Sequence, residues 1–352
     1  MIALLIMQNT WKMKRRISLL LVIMLLGVLS QSVYGQNKTD EKGRKQGYWS
    51  KVDKKGNKIY EGNFKDNYEI GTFTYFYEDG KTIKAQTEFS ENGKKGKTKM
   101  FGKDTKLISE GFYLNKKKDS LWLFYDTQGH KIAEERYLNG MRNGEFNYWD
   151  KDKVLVETIN YYKDKRNGIY YKNTYIRGYF YYTYKDDKRN GPYEDFYYFQ
   201  KIKIKGDYKD DKPVGNWKYF DSIGNCVKTQ TWQNGNMLNE KIRVDFGRSD
   251  RYIETKDIAY FYQTGKRMKI VLFNSEEISC INNIDEFLDV LGIDNILQLN
   301  KKLMVYANLD AIKGIGEKVG ENYIILLEPK PKTPIYTDKE SIKALQSLFN
   351  KD

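Results

Sequence analysis

Residues Gly71 to Lys94 read GTFTYFYEDGKTIKAQTEFSENGK. Phe73, Tyr75 and Tyr77 fall on every second position, the period of a β-strand. Asp79-Gly80 then marks a turn, because glycine accepts positive φ without steric cost. Lys84 to Phe89 returns as a second strand, and Glu91-Asn92-Gly93 turns the chain onward. This is one β-hairpin, and a lone hairpin is at best marginally stable in water. Its neighbours must therefore complete it.

They repeat it. Equivalent segments begin at Gly47, Gly71, Gly96, Ser120, Gly144, Gly168, Gly191 and Gly215, spaced 23 to 25 residues apart. Two places on stand Trp49, Phe73, Thr98, Trp122, Phe146, Tyr170, Tyr193 and Trp217. Near place seventeen come Phe64, Phe89, Tyr113, Tyr137, Tyr161, Tyr184, Tyr208 and Trp232. Independent columns with a shared period are the signature of a repeat array. A third aromatic column five places on, Phe76, Phe101, Tyr125, Trp149, Phe196 and Phe220, has the opposite parity. Either both faces carry aromatics or a bulge returns the two columns to one side. Gly56, Gly80, Gly129 and Gly224 occupy the hairpin turn, where the other units have Thr105, Lys153, Arg177 and Gln200. Those four turns are expected to differ in type.

Units such as Gly71–Lys94, Ser120–Arg142 and above all Gly215–Asn225 resemble the bacterial variant of the MORN repeat. Arrays of that kind are grouped as antitoxin components of toxin–antitoxin pairs. The resemblance covers about residues 47–237 and implies an elongated β-meander that binds proteins or lies near membranes. The fold expected is mainly β: about eight β-hairpin repeats followed by a small α+β domain.

The 352 residues divide further by composition. Met13-Lys14-Arg15-Arg16 precedes an apolar run, Ile17 to Leu29, too short to span a bilayer comfortably. Val33 and Gly35 suit a cleavage site, so residues 1–35 read as a signal peptide cut before Gln36. The alternative is an uncleaved anchor. Residues 36–46 read as a short linker and 47–237 as the array. Residues 238–275 read as a degenerate hairpin or cap, since Ala259–Lys266 echoes Thr74–Lys81. Residues 276–352 read as an α+β module. Within it, Ile284–Leu291 and Ile296–Tyr306 look helical and Tyr323–Leu327 looks like a buried strand. A capping box at Thr337–Glu340 precedes a helix with Ile342, Leu345 and Phe349 inward. Leu309 to Val319 resembles a helix-hairpin-helix, but the strand that follows favours a plain glycine turn.

Formal charge is +14, carried by 61 Lys and Arg against 47 Asp and Glu. Residues 36–237 hold 40 basic and 29 acidic residues, whereas residues 238–352 hold 17 and 18. The acidic balance of the tail argues against a nucleic-acid partner. One histidine rules out a multi-histidine metal centre. No catalytic cluster, metal site or cofactor is read. Cys226 and Cys280 leave one disulfide open. The repeat aromatics are assigned to the core. Lys165, Arg166, Lys188 and Arg189, in inter-repeat turns, are candidate anion-binding residues. The function expected is an exported, periplasmic or extracellular, non-enzymatic scaffold. Its array would bind a protein, an envelope polysaccharide or an anionic membrane surface. The alternatives are a toxin–antitoxin component or an enzyme in the C-terminal module.

Overall fold

The computed structural model describes residues 37–292 and 294–349. The leader read at residues 1–35, and its cleavage site, lie outside the described residues. Two compact units divide the chain, with the boundary between Arg142 and Asn143. The fold is mainly β: an antiparallel meander of hairpins, then a smaller α+β domain. Among the described residues, no helix is long and apolar enough to cross a membrane.

Each hairpin follows the register that its sequence period implies. Tyr68–Phe76 pairs with Ile83–Ser90, placing Gly71 opposite Phe89, Phe73 opposite Thr87 and Tyr75 opposite Ala85. The leading glycine is a backbone requirement: Gly71 has φ 63° and Gly215 φ 68°, and Ser120, which replaces it, takes φ 57°. Between hairpins, two successive left-handed residues make a tight turn of the primed type, as at Asp66-Asn67 and Asp210-Asp211. The stretch read as a linker is already paired, Lys38 opposite Gln46 and Thr39 opposite Lys45.

Three of the four turns expected to differ do not. Thr105, Lys153 and Gln200 adopt φ of 66°, 62° and 65°, and their N–H groups bond three residues back, as Gly56 and Gly224 do. Only the turn at Tyr175–Arg177 departs, forming a 3-10 turn closed by Gly178. The hairpin conformation outweighs the modest cost of a left-handed non-glycine residue.

Phe73, Trp122, Phe146 and Trp217 of the aromatic columns are buried in the array, whereas Trp49, Tyr170 and Tyr193 are half-buried. Phe73 is 1% exposed and Trp122 fully buried. They meet the place-seventeen rings edge to face: Phe64–Phe73 at 5.1 Å, Tyr113–Trp122 at 4.9 Å, Phe146–Tyr161 at 4.8 Å and Tyr208–Trp217 at 5.0 Å. Beneath three of the rings lies a glycine: a Cβ on Gly62, Gly111 or Gly206 would come within 2.5, 2.4 or 2.2 Å of Phe73, Trp122 or Trp217. In the third unit Thr98 replaces the ring and shares a 2.9 Å hydroxyl contact with Thr87.

Of the two alternatives for the third column, the structure shows aromatics on both faces, with a bulge at Tyr75/Phe76 and its equivalents. The bulge adds its residue to the returning strand, so alternation on the first strand is kept and both faces carry aromatics. Phe196 stacks on Tyr179 at 4.6 Å, while Tyr193 meets Tyr182, on the other side of that strand, at 6.2 Å.

The C-terminal domain is built on a five-stranded antiparallel sheet. Its spatial order is Glu277–Cys280, Arg267–Leu272, Ile258–Thr264, Val305–Asn308 and Ile296–Asn300. The helix Ile284–Leu291, capped by the Asn283 side chain, covers one face and sets Phe287 against Phe261 at 5.2 Å. The last strands of the meander share this core through Ile242, Val244 and Ile253. A three-stranded sheet, Ile312–Val319, Asn322–Leu327 and Ile335–Thr337, and the helix Ser341–Phe349 cover the other face.

Three local readings change. Ile296–Tyr306 is not a helix but two strands around a Lys301–Met304 turn, with Val305 and Ala307 buried alternately. Leu309–Val319 holds a 3-10 turn and a strand, not a helix-hairpin-helix or a plain turn. The last helix is capped by Asp338 rather than Thr337, and Phe349 is exposed while Ile342 and Leu345 are buried.

Two outcomes follow for denaturation. Trp122→Ala should lose about 3–5 kcal/mol, and Gly111→Ala should also destabilise, but much less once Trp122 is gone. Wild-type stability of Gly111→Ala in urea would contradict the ring-on-glycine packing. Hairpin-turn carboxylates are held low. The Thr82 hydroxyl and the N–H groups of Lys81 and Thr82 bring Asp79 down to about 2. Asp53 and Asp126 are lowered first by the Asn57 and His130 N–H groups. Their folded pKa lies below an unfolded value near 3.9, so their contribution is complete above about pH 4 and lost as pH falls toward 2. The melting temperature should drop across that window, less steeply in Asp79→Asn; a pH-independent melt would contradict this.

Candidate functional site

The basic turns singled out from sequence are occupied with structure. Arg166 lies 4.1 Å from the Tyr184 ring, bonds its hydroxyl at 2.7 Å and reaches Asp187 at 3.1 Å. Arg189 repeats this on Tyr208 and Asp211, at 4.1 and 3.1 Å. Lys165 stands 3.9 Å from Asp186, and Lys188 is paired in register with Lys185. Each arginine thus fastens its own turn to the next one and is not simply a solvated side chain. Cys226 and Cys280 are free thiols, and burial pushes the Cys280 thiol up. Among the described residues, no group of three or more His, Cys, Asp or Glu side chains could hold a metal.

A different set of charges converges in the C-terminal domain. Antiparallel register places the Thr264–Arg267 turn and the Lys301–Met304 turn at one end of the five-stranded sheet, since Tyr262 and Asn300 both pair with Val305. That end carries Lys266, Arg267, Lys301 and Lys302. The opposite end carries Asp257, Glu276, Asp294 and Asp310. Bases thus cluster at the first end, whereas the acids of the second are mixed with Lys256, Lys313 and Arg251, which lies 2.6 Å from Glu276, and the net charge is close to zero. The basic end has acidic neighbours too: Glu340, 3.9 Å from Lys301, and Asp285 and Glu286 at the start of the helix on the other face.

The Lys301–Met304 turn is pinned from below. Asn300, almost fully buried, accepts the Leu303 N–H at 2.9 Å and donates to the Tyr336 carbonyl at 2.8 Å. Asp338 accepts the Lys301 N–H at 2.6 Å and the Ser341 N–H at 2.8 Å. Burial opposes ionisation of Asp338, but the N–H groups of Lys301, Ser341 and Glu340 outweigh it and hold the carboxyl below its usual range. One carboxylate therefore caps the last helix, fixes the turn and sets Lys339 beside Lys301. Lys266, Lys302 and Lys339 have no ion-pair partner among the described residues. Ammonium and guanidinium groups free of carboxylate partners can engage a phosphate backbone.

Sequence reasoning missed this end because it weighed the net charge of the tail. The usable signal was local: Lys266-Arg267 follows a turn glycine, and Lys301-Lys302 interrupts an apolar stretch that proves to be two strands.

Comparison with known proteins finds a family over the C-terminal domain rather than over the array. Among curated proteins none matches. A similar solved structure is a LytTr DNA-binding domain of a methyl-accepting/DNA response regulator from Bacillus cereus. It is 10% identical, covering 31% of this chain and 96% of that one, with a TM-score of 0.26. The family found is not the MORN-type repeat, so that recognition is corrected, and with it the reading of a non-enzymatic binding scaffold or antitoxin component. The exclusion of nucleic acid, and the protein, polysaccharide and membrane partners put in its place, are corrected likewise. The family is one of DNA-binding domains, typical of non-enzymatic regulators. The stretch of this chain that a known family describes, residues 249–350, matches the LytTr DNA-binding domain.

Proposed function

We propose that this chain is a DNA-binding transcription regulator whose C-terminal domain contacts duplex DNA through its basic end. The observation that carries the reading is the family match over residues 249–350. The cluster of bases supports it and names the contacts: Lys266, Arg267, Lys301, Lys302 and Lys339 toward phosphates. The shared core of Ile242, Val244 and Ile253 supports a rigid mounting of that domain on the last strands of the meander.

A secretory leader would remove the chain from chromosomal DNA. Export is thus a separate proposal, resting on Met13–Gly35 alone. Cell fractionation with N-terminal sequencing tests it: a mature Gln36 outside the cytoplasm would contradict action on chromosomal DNA.

DNA binding itself is measured by fluorescence anisotropy of the intact chain, with duplexes first selected from a random pool. Five phosphate contacts give a slope of log K against log salt of about −4.5. Lys301→Ser with Lys302→Ser should flatten that slope by about two, with an unchanged circular dichroism spectrum. Absence of duplex binding, or a slope that the double variant leaves intact, would overturn the proposal.

A further inference from the structure

A groove of about 370 Å³ opens on the face of the five-stranded sheet away from the helix Ile284–Leu291. Tyr260, Val271 and Val305 form its floor; Tyr262, Tyr336 and the segment Pro329–Pro334 form its walls. Aromatic rings and prolines facing an apolar floor suit a flat ring better than an aliphatic chain. Tyr260 is 2% exposed, and its hydroxyl, which bonds no described residue, is open to the groove. Burial also pushes the phenol up to about 12, so it stays a donor at neutral pH.

The rim is charged on one side. Lys330 and Lys332 line it together with Glu277. Glu277 is already engaged by Lys269 at 2.8 Å, with Lys332 at 3.7 Å. Lys330 has no ion-pair partner among the described residues, so the rim keeps an excess of positive charge.

We propose that this groove is a binding site for a small planar aromatic carboxylate, its ring between Tyr262 and Tyr336. The carboxylate accepts from the Tyr260 hydroxyl and the Lys330 and Lys332 ammonium groups. The site goes beyond DNA binding and does not depend on it. One consequence does rest on that reading. Leu303 lines the groove from within the basic turn, and Tyr336 supports that turn through Asn300. An occupant therefore bears on DNA affinity.

The test is isothermal titration of the intact chain with 2-naphthoate. One-to-one binding is expected. Tyr260→Phe, which removes only an unpaired hydroxyl and should melt like the wild type, should weaken it about tenfold. Lys330→Ser with Lys332→Ser should weaken it further and flatten its salt dependence. Absence of saturable binding, or wild-type affinity in both variants, would overturn the site. Duplex titrations with and without saturating 2-naphthoate address the consequence: a changed affinity supports it and an unchanged one overturns it. If the chain binds no duplex at all, the DNA reading fails while the naphthoate titration still decides the groove.

Discussion

A ring laid on a glycine of the adjacent strand recurs through the array: Phe73 on Gly62, Trp122 on Gly111 and Trp217 on Gly206. The missing Cβ lets the ring lie flat on the sheet, and the place-seventeen aromatic closes over it edge to face. This packing is how the sheet excludes water from its side chains. The hairpin turns then follow, because the rings meet only if the register holds from one unit to the next. That demand explains why Ser120, Thr105, Lys153 and Gln200 accept left-handed backbone where glycine is usual. It also explains the arginines that bind each turn to its successor, Arg166 to Asp187 and Arg189 to Asp211.

The C-terminal domain is built on a different principle. Its aliphatic core lies between a sheet and two helices, and its polar work is done at the strand ends. Asn300 and Asp338 are the hinge pins of that end: one buried amide and one depressed carboxyl hold the Lys301 turn in place. Net charge conceals such an arrangement. A domain with nearly equal numbers of acids and bases can still offer a basic edge, because register decides which turns share an end.

The hairpin period, the aromatic core and the α+β character of the tail were all legible in the residues. Periodicity reports local structure and burial directly, so Trp122 and Phe73 stood out without a fold. The helix Ile284–Leu291 was legible for the same reason. Ile296–Tyr306 was not, because a short apolar stretch suits helix and strand equally until the Lys301-Lys302 turn is recognised. The site was hidden by distance: Lys266, Lys301 and Lys339 lie far apart in sequence, and only antiparallel pairing and the Asp338 bond bring them together. The glycines under the rings were overlooked because a residue with no side chain leaves no hydrophobic trace.

The central claim is that one end of the five-stranded sheet, and not the other, faces DNA. Photocrosslinking tests it most directly, with a crosslinking side chain placed in separate intact chains at position 302 and at position 310, each bound to its selected duplex. Crosslinks from 302 and none from 310 are the result expected. Crosslinks from 310 alone, or equally from both, would contradict the assignment.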